Sequence, residues 1–484
     1  METQEEGRRP GAGRRALIAA VAGCAVLGGA LALWPWERPA AHRPVAPAPG
    51  AQALTAVTTG VPAGLPELAA LIETRQARVR ARPADAVSWA VLGSAYVERG
   101  RRTADAADYP RAEQALETSL RVRPSGNAEA LDGMAALANA RHDFLSARMW
   151  GEAALKLAPK RWTTYPLLMD AYTGLGDYKA TKRTLDRLLE LRTGPAVQAR
   201  AAAVYRDRGW REDAAAALTD AAAAARSPAE RAQWLERTGQ LAFERGDLKD
   251  ALRHFQEAVR VDPDQRAAQA GQGRTLAAMG RTTEALSAYQ VALEKQPCPQ
   301  YALELGELYE SLGLGQAARV EYDQVRALVG KDRSGGVDDE LVLGVTETDH
   351  GDPATAVRRL RAEYARQPGI AVADALGWAL HRAGDDKEAL RYATVATDKA
   401  HGGGVRSALY SYHRGMIERA LGQDGSARLD LTEALRINPY FSPLDVPVAR
   451  SALAGLGEPP DEPVPTARAT PGGTEGTEGT EEEG

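Results

Sequence analysis

The side chains best suited to chemistry are few in this chain, and their spacing matches no known reaction. The histidines are His42, His142, His254, His350, His381, His401 and His413, and the cysteines are Cys24 and Cys298. Two thiols supply neither a disulfide framework nor a four-thiolate zinc site. There is no phosphate-cradling GxxxxGK(S/T) loop, no HExxH, no GxSxG and no CxxC. Cys298 stands between Pro297 and Pro299, where a small inert thiol is the simplest reading. The carboxylate pairs Asp338-Asp339 and Asp385-Asp386 sit at helix starts or turns, where they favour a positive helix end or solvent. A formal charge of −5 and a pI near 6.0 leave no global basic footprint, so nucleic acid is not expected as a partner. Neither an enzyme, a cofactor, a metal nor a small-molecule substrate is expected.

The elements that position side chains here are helices. Apolar types make up 44% of 484 residues but aromatics only 6%, Ala dominates, and Arg far outnumbers Lys. Ala and Arg are strong helix formers, whereas the residues that favour strands are scarce. Three successive blocks then repeat: RTGQLAFERGDLKDALRHFQEAVRVDP, GQGRTLAAMGRTTEALSAYQVALEKQP and LELGELYESLGLGQAARVEYDQVRALVG. Gly239, Gly273 and Gly306 recur in a first helix, and Gly246, Gly280 and Gly313 at a turn. Ala251, Ala285 and Ala318 recur in a second helix beside the aromatics Phe255, Tyr289 and Tyr322, and Pro263 and Pro297 close two of the blocks. The period is 33 to 34 residues.

This pattern resembles the tetratricopeptide repeat family. Gly at the turn supplies a positive φ, Gly and Ala allow paired helices to approach, an aromatic fills the adjoining gap, and Pro ends the second helix. Extending the frame gives ten units, beginning near Ala86 with Trp89, Leu92, Gly93 and Tyr96 and ending with Gly415, Gly422, Ala427, Ala434 and Pro439. The resemblance implies an all-α fold, a right-handed α-α superhelix of about ten helix-turn-helix repeats. One unit cannot bury its apolar faces alone, so neighbours must stack and the ends need caps.

In this family the first helices line a concave groove that receives a peptide or helix. No Lys occurs in the first helices, so the family's carboxylate-gripping pattern of paired Lys and Asn is absent here. Helical phase nominates Glu236, Gln240, Phe243, Arg274, Glu304, Glu307 and Glu310 in the fifth to seventh units, and Trp378, His381, Tyr412 and Arg419 in the ninth and tenth. An acidic middle beside an aromatic-rich end suits a protein or peptide with basic and apolar features. His381 and His413 would lie on first helices of neighbouring repeats, where a metal or acid-base role is the competing reading, although no carboxylate or cysteine completes a ligand set.

The amino terminus adds a membrane. Ala16 to Trp34 is a run of nineteen residues without a charge, long enough as a helix for the ~30 Å hydrocarbon core. Arg8, Arg9, Arg14 and Arg15 precede it and Trp34 and Trp36 follow, as in a signal anchor with a cytoplasmic N-terminus. Cleaved alternatives are a signal-peptidase site at Ala30-Leu31-Ala32, a lipobox ending at Cys24, and a twin-arginine signal at Arg14-Arg15. All of these export the rest of the chain.

The expected layout is a cytoplasmic N-terminus (1–15), a transmembrane signal anchor (16–34), a Pro/Ala-rich linker (35–61) and a capping helix (62–85). The repeat array (86–441), a C-terminal solvating helix (442–457) and a disordered acidic tail (458–484) complete it. The functional expectation is a non-catalytic interaction scaffold or adaptor on a cell membrane, single-pass, with the array outside the cytoplasm. The Ala- and Arg-rich composition fits a bacterium with a GC-rich genome. The alternatives are an exported lipoprotein, an enzyme or metal-binding protein with a site between repeats, and a purely structural spacer.

Overall fold

The chain divides into two units at Ala48/Pro49. In the computed structural model, residues 49–399 and 404–457 are described. The expected anchor at 16–34, Cys24 and the acidic tail lie outside them. Among the described residues there are 23 helices and no strand, and no helix is long and apolar enough to cross a membrane.

Ten helix pairs follow one another. They begin with α3 (Ala86–Thr103) and α4 (Asp108–Val122), α5 (Ala128–Ala140) and α6 (Phe144–Leu157), then α7 (Thr164–Gly174) and α8 (Tyr178–Leu191). Next come α9 (Pro195–Asp207) and α10 (Arg211–Ala223), α11 (Pro228–Glu244) and α12 (Leu248–Val261), and α13 (Arg266–Ala278) and α14 (Thr282–Lys295). The array continues through α15 (Pro299–Ser311) and α16 (Gly315–Arg333), then α17 (Glu340–His350) and α18 (Pro353–Arg366). It ends with α19 (Ile370–Arg382) and α20 (Asp386–Thr397), and α21 (Ala408–Ala420) and α22 (Asp424–Ile437).

Local sequence explains where these helices start. The side-chain oxygens of Asp85, Asn127, Asp143 and Asp177 accept from backbone N–H groups three residues on, at 3.0, 3.3, 3.1 and 2.8 Å. Each satisfies a donor that the first helical turn would otherwise leave open. Within a pair the fit depends on having no Cβ. An added Cβ at Gly306 would fall 2.5 Å from Tyr322, and one at Gly273 would fall 2.7 Å from Tyr289. The expected glycine-aromatic pairing is therefore a physical contact, with Ala285 and Ala318 buried beside it.

A helical hairpin precedes the array. α1 (Pro49–Thr59) folds against α2 (Leu65–Ala81), so the second half of the expected linker 35–61 is ordered helix. Small residues account for this difference. Ala53 and Ala56 are buried against α2 without needing a large apolar side chain. At the other end α23 (Asp445–Gly455) lays Ala449 and Ala452 over Tyr412 and Leu431.

The array also closes on itself. The turn between the two helices of an early pair meets the junction between two later pairs, through partners 192–196 residues apart. Arg141 Nε donates to Gly335 O at 2.8 Å, and Asp338 N donates to Arg141 O at 2.9 Å. Ile370 N donates to Tyr178 Oη at 3.0 Å, Gly404 N to Asp207 O at 2.9 Å, and Asn438 Nδ2 to Phe243 O at 2.8 Å. At a period near 34 residues, this offset brings each pair back against one between five and six pairs further on. The turns of the first five pairs and the junctions of the last five thus form one seam.

Candidate functional site

The first helices of the pairs share one inner wall, and their polar side chains are tied neighbour to neighbour. Between α7 and α9, Arg200 Nη1 lies 2.6 Å from Asp170 Oδ1. Between α9 and α11, Arg206 Nη2 lies 2.7 Å from Glu244 Oε1. Arg274 of α13 reaches both ways, donating to Gln240 Oε1 of α11 at 2.6 Å and to Glu304 Oε1 of α15 at 2.7 Å. Glu310 of α15 meets His350 Nδ1 of α17 at 3.2 Å, and Trp378 Nε1 of α19 donates to Asp349 Oδ2 of α17 at 3.0 Å. Asp374 of α19 meets His413 Nδ1 of α21 at 2.9 Å. The bridges run unbroken from the third pair to the tenth. Spacings of three, as in Glu304, Glu307 and Glu310, keep such side chains on one helix face.

Seven of the eleven residues nominated from helical phase divide into three groups. Gln240, Arg274 and Glu304 form one hydrogen-bonded chain, to which Tyr289 adds its hydroxyl by donating to Glu304 at 2.9 Å. Burial disfavours the Arg274 charge, but Glu304 outweighs it and holds the guanidinium above its ordinary value. Phe243, Trp378 and Tyr412 are buried core residues, with Arg274 lying over the Phe243 ring at 5.5 Å. Arg419 is exposed at the end of α21, beside α23. The expected acidic middle is therefore partly neutralised, because Glu304 is spent on Arg274 and Glu310 on Tyr322 and His350.

The two histidines weighed as a metal pair are each occupied elsewhere. His381 Nδ1 meets Asp386 Oδ1 at 2.5 Å, and His413 Nδ1 meets Asp374. Both rings contact Trp378, with centroids 4.9 and 4.3 Å away, and His413 is stacked at 13°. No group of three metal-ligating side chains occurs among the described residues. Asp385 caps α20, Asp338 accepts from Glu340 N, and burial pushes the Cys298 thiol up to about 11. These groups serve structure.

The charges left over are more informative. Arg237 of α11 makes no hydrogen bond or ion pair among the described residues, and its guanidinium lies 5.4 Å over the Trp234 ring. Burial, then repulsion from Arg200, lowers it to about 10. It also feels Asp170 of α7 and Arg101 of α3, so these helices face a common interior. Glu236 beside it accepts only from Gln233 and is raised by burial. Glu307 of α15 likewise has no partner among the described residues. Burial first, then Asp445 and Glu304, raises it well above the carboxylate range.

Toward the N-terminal end this interior widens to a cavity of about 550 Å³, lined by Val91, Arg101, Asp132, Asp170 and Arg200 of the first helices. Segments at Cys298 and Val337 close it from the later turn, and Val57 and Val61 from the α1–α2 hairpin. Sequence reasoning missed Arg237 and this cavity. Arg237 falls on the inner face next to the nominated Glu236, a signal helical phase did contain. The cavity needs the seam, which no local pattern encodes.

Two tetratricopeptide repeat models match the chain, over residues 200–270 and 242–305. No curated protein matches it. Among solved structures, a human IFIT1 dimer with PPP-AAAA is 18% identical, with 65% of this chain and 73% of that one covered and a TM-score of 0.44. A tetratricopeptide repeat protein from Parabacteroides merdae is 17% identical, with 55% and 99% covered and a TM-score of 0.31. PilW, a type IV pilus biogenesis factor, is 16% identical, with 43% and 97% covered and a TM-score of 0.35. Residues 200–305 thus carry tetratricopeptide repeats, and the glycine-aromatic contacts of Gly273 with Tyr289 and of Gly306 with Tyr322 are those of the helix pairs there and just beyond.

Proposed function

We propose that this protein is a non-catalytic scaffold that holds an extended segment of another protein against the inner wall of its repeats. The observation that carries this is the set of unspent charges, Glu236, Arg237 and Glu307, on a wall where Arg200, Arg206, Arg274, Glu304 and Glu310 are already paired. Burying an unpaired charge is costly, and a partner that supplies the counter-charge recovers that cost. The chemistry is complementarity, with no bond made or broken. The apolar run 16–34 supports a single-pass anchor with the array outside the cytoplasm, and the superhelix is taken as right-handed.

Charge reversal tests this reading. Arg237→Glu and Glu307→Lys together should abolish recovery of the partner by crosslinking in native membranes, whereas reversal at the exposed Arg253 of α12 should not. Equal recovery from all three proteins would reject the inner wall as the binding surface.

A further inference from the structure

The seam consumes only half of the edges that the array presents. Turns of the first five pairs and junctions of the last five are mated, so the junctions of the earliest pairs have no counterpart. Their chemistry differs from that of most mated ones, the exception being the junction between the ninth and tenth pairs, which carries Lys399 and Arg406. Mated junctions carry Asp262, Asp264, Asp338 and Asp339, and Asp262 and Asp338 each receive an arginine. Each unmated junction carries a base: Arg82, Arg123, Lys160 with Arg161, Arg192 and Arg226. Arg121 and Lys156 add charge one turn earlier. Helix C-termini favour bases in general. That cannot explain a difference between junctions that all follow helix C-termini.

Of these bases Arg82, Arg121, Lys156, Lys160, Arg192 and Arg226 are exposed, and none pairs with a carboxylate among the described residues. Several carboxylates along the same edge are already spent: Asp85 on Arg78, Glu129 on Arg123 and Arg161, and Glu190 on Arg187. The result is a basic rim on a chain whose formal net charge is −5. Early turns point toward later pairs, so these junctions point the opposite way, toward the end where α1 begins at Pro49. Residues 35–48 alone separate Pro49 from the apolar run 16–34.

We propose that this rim docks on anionic lipid headgroups of the bilayer that anchors the chain. The proposal rests on the anchor reading above. A tether holds the rim near the surface, and several basic side chains within a Debye length of anionic lipid then fix its orientation.

The test places the full chain in nanodiscs of neutral phosphatidylcholine or with 30% phosphatidylglycerol added. Amine labelling of Lys156 and Lys160 is followed by mass spectrometry, and Lys387, exposed in the first turn of α20, serves as reference. With phosphatidylglycerol at low salt, Lys156 and Lys160 should label several-fold more slowly, and at 0.5 M salt they should recover, with Lys387 unchanged throughout. Lys160→Glu, Arg192→Glu and Arg226→Glu in one chain should remove the protection of Lys156. These residues are exposed and unpaired, so the array should stay folded by circular dichroism.

Equal labelling in both discs would overturn the proposal. So would protection in neutral discs that disappears when residues 458–484 are removed, because the acidic tail would then be the occupant. Flotation with neutral vesicles at 0.5 M salt reports the anchor separately. A chain that floats only with phosphatidylglycerol at low salt keeps the rim and loses the anchor.

Discussion

Arg102 Nη2 lies 2.7 Å from Asp262 Oδ2, with both side chains largely buried and 160 residues between them in the chain. The pair joins the first turn of the array to the junction between the fifth and sixth pairs, and so opens the seam that closes the interior. Neighbouring contacts, with Gln296 Nε2 donating to Arg101 O at 3.3 Å, show that this end of the seam is a packed interface.

Removing one member of that pair leaves a buried charge without its counter-ion. Arg102→Ala should therefore cost about 3 kcal/mol in chemical denaturation. Hydrogen exchange should also quicken at residues 101–108 and 262–265 together, since both lie on the seam. Faster exchange at one segment alone would show that they are not coupled.

Glycine substitutions separate two physical causes. Gly306→Ala drives a methyl into Tyr322 and should cost about 1–3 kcal/mol by overpacking. Gly313→Ala meets open space but keeps a φ of +73°, so it should cost only about 1 kcal/mol. Gly176→Ala carries both penalties, because its Cβ would fall 2.4 Å from Pro368 O across the seam. It should be the most destabilising of the three in thermal melts.

How much of this was legible in the sequence depends on the distance over which each feature acts. The pairing of Gly273 with Tyr289 and of Gly306 with Tyr322 is local, recurs every 33–34 residues and was visible at once. The chain Gln240–Arg274–Glu304 was half visible, since helical phase placed the residues on one face but not in contact. Phe243 and Trp378 read as groove residues because phase does not distinguish an inner wall from the core beneath it. The seam was invisible. It depends on how many pairs make one turn, which small crossing angles accumulate along the array and no motif records.

Stability should fall as pH rises, and Glu418 is one cause. Burial first, then the adjacent Asp430, raises its carboxyl from 4.5 to about 7. A raised carboxyl binds its proton more tightly in the folded state, so folding is penalised as pH climbs past 4.5 and fully so above about 7. His413 acts in the same direction. Burial opposes its charge, but Asp374 holds it above the ordinary histidine value, and that contribution is lost as pH rises through the folded value. Glu418→Gln should flatten the profile and stabilise the protein at pH 8 by roughly 1–3 kcal/mol. An unchanged slope in urea titrations from pH 5 to 8 would rule out this role.

The inner-wall bridges should behave as couplers between repeats. Arg274→Ala unties α13 from both α11 and α15 and should cost about 2 kcal/mol through lost charge-assisted hydrogen bonds. The loss should also broaden the unfolding transition, because stability in a repeat array depends on nearest-neighbour contacts. A simple shift in midpoint with unchanged steepness would mean that these bridges do not carry cooperativity.

The central claim, that a partner lies against the inner wall, is tested most directly by site-specific photocrosslinking in intact cells. A photoreactive residue replacing Arg237 or Glu307 should yield one discrete adduct of the same partner, and the same probe at Arg253 on the outer helix α12 should yield none. Adducts from position 253 with none from 237 or 307 would contradict the account and move the binding surface to the outside of the array.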